Sequence, residues 1–298
     1  MTTSLSTQVS LIKRIKEQWQ VYKRSQRGVI GIGVLAFFVL IALFAPLFSP
    51  YDPFKRVDQP FLPPSKTHIL GTNDIGQDIL SELIYGARIS LMIGFLVAFS
   101  TVLIGTLIGL ITGYYGGIVD EVLMRICDIV LVLPNIPLMI LFASLLGRRS
   151  FIVIIFILSI TAWPTVTRLV RSTTLTLKQR TYVEVAKGLG AKDFHIIFKH
   201  MLPNVMPLIL ATMIFRTSAA MLAEASLSFL GLGDPTKKSW GMMLHFANVS
   251  GGWWANDGKP AYWWILPPGI CIAIVTLLLS MIGQALEETI DPRLRERK

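Results

Sequence analysis

Six apolar stretches, each near the ~20 residues that cross a bilayer as a helix, alternate with polar blocks along this chain. The first runs from Gly28 to Phe48 and the second from about Ile89 to Thr112. The third runs from about Ile126 to Leu146, with Pro134 and Pro137 inside it, and the fourth from Phe151 to Val170, with Pro164 near its end. The fifth covers Val205 to Leu230 and the sixth Trp264 to Gly283. The pattern predicts an all-α integral membrane protein of six transmembrane helices. Proline inside a span is tolerated where neighbouring helices satisfy the freed carbonyls, so the spans are expected to form a bundle.

Two polar blocks carry patterns of their own. In the lead, Leu11, Ile12, Ile15, Trp19 and Tyr22 fall on one helical face beside Lys13, Lys16, Lys23 and Arg24. This predicts an amphipathic helix lying on the inner leaflet. The lead and the apolar run behind it are too long for a cleaved signal peptide. Residues 181–204, TYVEVAKGLGAKDFHIIFKHMLPN, form a charged island between the fourth and fifth spans. Thr181 and Glu184 have capping-box spacing for a helix start. Gly188 and Gly190 are expected to end that helix after two turns. Asp193 then reads as the N-cap of a second helix, with Phe194, Ile197, Phe198 and Met201 as its apolar stripe and Pro203 as its stop.

Composition agrees with the pattern. The chain is 53% hydrophobic and 15% charged, against about 25% charged in soluble domains. Its two cysteines, Cys127 and Cys271, exclude a disulfide scaffold and a cysteine-based zinc site. The net charge of +10 follows topology. With both termini in the cytoplasm, the segments 1–27, 168–204 and 285–298 hold six, seven and four Lys/Arg, and the outer segments hold nine in all. That inward bias sets an N-in, C-in chain of six spans. It gives no reason to expect nucleic acid as a partner.

Candidate chemistry is sparse. In GTNDIGQD, Gly71 and Gly76 have P-loop spacing, but Gln77 and Asp78 stand where a P-loop needs Lys and Ser/Thr. GIGVLA, from Gly31, imitates a dinucleotide fingerprint inside an apolar span, where glycines serve helix packing. His68, His195, His200 and His245 form no metal-like cluster with Cys or carboxylates in the sequence. Within the fifth span lie Arg216 and Glu224, which cost roughly 2.5–3.5 kcal/mol each at membrane depth. On a helix they point about 80° apart, so pairing with each other is not required. Each either faces a translocation path or is satisfied by a neighbouring helix or subunit. Glu121, Arg125 and Asp128 are spaced for an ion network on one helix face. In the last outer loop, Trp263 and Trp264 are expected to anchor at the membrane interface, with Trp253, Trp254 and Tyr262 open between anchoring and partner contact.

The island also resembles the EAA loop of ABC-importer permeases: Glu184, Ala186, Gly190, Leu202 and Pro203 match, while Val185 and His200 depart from the pattern. Residues 69–94, YYGGIVDEVLMRICDIVLVLP, AEASLSFLGLGDP, SWGMML and DPRLRER resemble the dipeptide/oligopeptide/nickel branch, specifically its second permease subunit. Glu224 falls in the matched AEA pattern; Arg216 does not. The resemblance implies a type I importer permease with a cytoplasmic coupling helix in the inner membrane. It divides the chain into an amphipathic segment 1–27, a first span with external loop 28–88, a permease core 89–284 and a cytoplasmic tail 285–298. The coupling segment would be Tyr182, Val183, Glu184, Val185, Ala186, Lys187, Gly188, Leu189 and Gly190. The implied partners are two ATPase subunits, a second homologous permease in a heterodimer, an external substrate-binding protein and the lipid bilayer. ATP and Mg²⁺ belong to the ATPases, so no cofactor or metal and no catalytic residue is expected here. The implied solute is a peptide, with nickel or an oligosaccharide as alternatives. A secondary transporter would instead show internal repeats and broken helices around a midplane site, and no convincing repeat is present.

Overall fold

The computed structural model describes Tyr22 and residues 25–147, 149–254 and 258–290. The amphipathic helix expected over 1–27 and the end of the C-terminal tail lie almost wholly outside the described residues. The elements are α1 (Gln26–Leu43), α2 (Ala45–Phe48), α3 (Ile79–Tyr115), α4 (Gly117–Val132), α5 (Asn135–Leu146), α6 (Phe151–Lys178), α7 (Thr181–Gly188), α8 (Asp193–Phe229), α9 (Trp240–Val249) and α10 (Tyr262–Ile290). Helices α1, α3, α6, α8 and α10 are each long and apolar enough to cross a membrane, and the bent pair α4–α5 makes a sixth crossing if counted as one. The chain is thus a multi-pass helical membrane protein.

The third span departs from expectation. It is broken, and α4 and α5 meet at 97°. The cause is local. The ring of Pro134 excludes the residue before it from the helical region, and Leu133 is extended at φ −73°, ψ 136°. Of the other long helices, α3, α6, α8 and α10 run further than the apolar stretches, whereas α1 stops at Leu43, five residues short of the end of the first. At 37 residues, α3 is about 55 Å long, so its ends project beyond the hydrocarbon.

The core seam joins α3 to α6. Gly105, Gly109 and Gly113 recur every four residues and so share a face of α3. They pack on Val166, Val170 and Thr174 of α6, spaced likewise, and a Cβ at Gly105 would stand 2.6 Å from Val166 Cβ. Both series rise together, so the two helices run in the same direction. Along α1, Gly31 packs on Ile282 of α10, while Gly33 faces open space. Gly28 of α1 meets Ala285 of α10, so α1 and α10 are antiparallel. Gly283 of α10 meets Phe215 of α8 and the Thr276 carbonyl accepts the Ser218 hydroxyl, so α8 runs antiparallel to α10, and the start of α1, the end of α10 and α7, just ahead of α8, lie at one end of the bundle.

The opposite end is a cap built from residues 49–78, the 230–239 loop, α9 and residues 250–254 and 258–261. Trp264 at the start of α10 is 1% exposed and meets the Phe61 ring edge-on at 6.0 Å. It is core, not an interface anchor, because the cap covers the helix start. Trp254 is 76% exposed.

Candidate functional site

At the α7 end, the island folds as a helix, a glycine turn and a second helix, with three corrections in detail. The N-cap position of α7 is Arg180, with no side-chain cap, so Thr181 and Glu184 form no capping box. Asp193 does not cap its helix either: Lys192 holds that position. The Asp193 carboxylate instead accepts the Tyr114 hydroxyl at 2.6 Å, tying the end of α3 to the start of α8. Pro203 stops nothing. It lies in the first turn of the Leu202–Phe229 stretch, where a missing N–H costs little, and a π-helical turn, Ile196–Met201, leads the island into that stretch.

The end of α7 follows expectation. The Ala191 amide donates to the Ala186 carbonyl at 3.1 Å, the Gly190 amide to Lys187 at 3.0 Å, and Gly190 has φ +78°. This is the Schellman arrangement, which needs a residue free to adopt the left-handed conformation. Of the nine coupling residues, only Val183 is buried, at 2% exposure, within a cluster that includes Tyr114, Val170, Ile196 and Met201. Ala186 is half-buried, and Tyr182, Glu184, Val185, Lys187, Gly188, Leu189 and Gly190 are exposed. The helix is therefore pinned to the bundle chiefly by Val183, with Ala186 half-buried beside it, and presents the other seven residues outward. Beside it lies a cavity of about 390 Å³ lined by Tyr114, Leu175, Lys178, Gln179, Val183, Glu184 and Lys187. The expected stripe is divided: Ile197 and Met201 are buried, whereas Phe194 and Phe198 stack 4.3 Å apart with Phe194 71% exposed.

The two candidates in the fifth span are separated. Glu224 is 1% exposed. Its Oε1 accepts the hydroxyls of Ser228 and Ser239 at 2.7 and 2.8 Å, and Ser239 caps α9 through the Met242 amide. Glu224 thus holds α9 onto α8 and is sealed from any path in this conformation. Arg216 is half-buried and has no ion pair or hydrogen bond among the described residues.

Asp128 joins a different pairing from the one expected. It pairs with Arg168, and Asp120 takes a two-pronged contact from Arg171, both on α6. Residues one helix turn apart compete poorly with a guanidinium from the adjacent helix, whose fork matches a carboxylate.

The cap contains a polar network that sequence reading missed. Lys238 is paired with Glu82 and donates to Gln77 Oε1 at 2.7 Å, while Asn73 donates to both acceptors at 3.1 Å. Glu82 and Lys238 side chains are 3% and 13% exposed. The P-loop imitation resolves here too: Asp78 caps α3 through the Ser81 amide at 2.8 Å and receives His68 Nδ1 at 2.9 Å. A carboxylate therefore occupies the helix N-terminus that a phosphate would need. Glu82 lies ahead of the second apolar stretch, so the linear pattern did not single this network out. Removing one member of a buried pair strands the other charge and costs roughly 3–5 kcal/mol. Lys238→Met is expected to lower the thermal midpoint of the purified protein markedly, and adding Glu82→Gln to recover most of the loss. Equal midpoints for the single variant and wild type would show the pair to be inert.

Comparison with known proteins agrees with this architecture. Residues 105–296 match the family described as binding-protein-dependent transport system inner membrane component, and residues 13–64 match the N-terminal TM domain of oligopeptide transport permease C. The chain is 37% identical to the oligopeptide transport system permease protein OppC of Bacillus subtilis over 284 residues, covering 92% of this chain and 88% of that protein. It is 35% identical to the dipeptide transport system permease protein DppC of the same organism, covering 94% and 86%. The glutathione transport system permease protein GsiD of Pectobacterium atrosepticum is also 35% identical, with 94% and 91% covered. Among solved structures, the inward-facing MetNI methionine ABC transporter superposes with a TM-score of 0.55 at 18% identity, covering 71% of this chain and 97% of that one. That likeness is one of fold.

Proposed function

Because this chain belongs to the family of binding-protein-dependent transport system inner membrane components, we propose that it is the second permease subunit of an ATP-driven peptide importer. An external binding protein delivers the solute, a homologous permease completes the pathway, and two ATPase subunits supply the energy. The relatives named for oligopeptide and dipeptide transport favour a peptide over nickel or an oligosaccharide.

The observation that carries the reading is the presentation of α7. A helix pinned chiefly by Val183, at the end of the bundle where α3 and α6 finish, offers an exposed surface for an ATPase cleft. Its motion passes to the spans through the Val183 cluster and the Tyr114–Asp193 hydrogen bond. In this reading segment 182–190 is the coupling helix, the termini are cytoplasmic, and ATP and Mg²⁺ are held by the partners. Arg216 faces the path. Glu224 acts by fixing α9, so Glu224→Gln lowers complex yield before it lowers transport.

A tagged chain expressed with its neighbours' subunits is expected to bring down two ATPase chains and a second permease. A reporter at Lys237 is expected to be accessible only from outside. A chain that transports alone with an ion gradient, or a reporter reached only from inside, overturns the assignment.

A further inference from the structure

Resting on the importer reading, we propose that Arg216 holds the carboxylate of the solute as it passes between the two permease subunits. Arg216 stands at the middle of the Leu202–Phe229 stretch. A guanidinium at that depth needs water, a carbonyl or a carboxylate, and lipid tails supply none of these. The described residues of its own chain do not supply one either: Arg216 has no partner among them, and the other ionisable group of the same span, Glu224, is buried and held by Ser228 and Ser239.

The surroundings favour a transient ligand. Thr212, Arg216, Ala219, Ala223 and Ser226 recur at three- and four-residue spacing and share one face of α8. Each is open or half-open in this chain. Leu210, open on the far side of the helix, is suited to lipid, and Leu222, also open, marks the edge of this face. The Thr212 and Ser226 hydroxyls are turned back onto the Leu208 and Leu222 carbonyls at 2.8 Å, so the guanidinium is the donor this face has left to offer. Its planar fork matches a carboxylate through two parallel hydrogen bonds, and every unmodified peptide carries one at its C-terminus.

The test uses the full complex in proteoliposomes with its loaded binding protein, comparing trialanine with trialanine amide. Arg216→Gln is expected to assemble at wild-type yield, to take up trialanine at least ten-fold more slowly, and to carry the amide at its wild-type rate. Arg216→Lys is expected to keep an intermediate rate for the acid. Lost assembly in Arg216→Gln, which marks a pair with the second permease, overturns the proposal, as does an equal fall for both peptides. If the wild type carries only the acid, Arg216→Cys in a background lacking Cys127 and Cys271 decides. A water-soluble thiol reagent is expected to label it, more slowly during turnover with trialanine, and absence of labelling in every state overturns the proposal. No ATP-dependent peptide uptake by the wild type overturns the importer reading, and this inference with it. Normal wild-type uptake with an indifferent Arg216→Gln overturns this inference alone.

Discussion

Gly109→Leu removes the folded protein from the membrane. A Cβ at Gly109 would stand 2.7 Å from Val170 Cβ and 2.8 Å from the Thr167 carbonyl oxygen, so even alanine forces a shift. Leucine wedges α3 from α6 over the length of the seam, because Gly105 and Gly113 share its close approach to Val166 and Thr174. Overpacking of a well-filled core costs typically 1–3 kcal/mol, and here backbone stands in the way on one side, which places the cost at the upper end. The measurement is membrane yield together with the thermal midpoint in detergent. Gly33→Leu is the control, since a Cβ there meets nothing within 4 Å. A Gly109→Leu protein with wild-type yield and midpoint would show that the seam does not hold the bundle.

The double variant Glu184→Lys with Gly190→Val separates transport from ATP hydrolysis. Gly190 has φ +78° and closes α7, and a left-handed conformation costs a side-chain-bearing residue roughly 1–2 kcal/mol. The β-branched valine therefore unwinds the end of α7. Glu184 is exposed beside the cavity under α7, so reversing its charge alters the surface offered to the ATPase without disturbing the core. Peptide uptake is expected to fall at least ten-fold while membrane insertion stays at wild-type level. Cysteines at position 186 or 187 are expected to crosslink to an ATPase subunit in the intact complex. Wild-type uptake, or crosslinks that never reach the ATPase, would refute the coupling assignment.

Much of this was legible in the sequence because the membrane imposes its cost residue by residue. The apolar stretches announced their helices, since a span's length is fixed by bilayer thickness and its polar groups by the absence of water. Gly190 announced the end of α7, because backbone strain at positive φ is a local quantity. Pro134 carried the break in the third span as well, through its clash with the preceding residue. The seam glycines had the spacing for close packing, yet nothing in a linear pattern says that Val166, Val170 and Thr174 receive them. That choice depends on which helices lie side by side.

The tertiary structure decided the polar pairings. Glu82 and Lys238 lie 156 positions apart and meet only because the 230–239 loop folds over the start of α3. Asp193 had the right residue type and position to cap its own helix, and Tyr114, 79 positions away, claims its oxygen instead. Glu224 and Arg216 read alike as charges in one span. The fold gives the first two hydroxyl donors and leaves the second without a partner among the described residues. A buried polar group takes whichever partner three-dimensional proximity supplies, and proximity between distant positions is the one quantity that a local pattern of side chains does not contain.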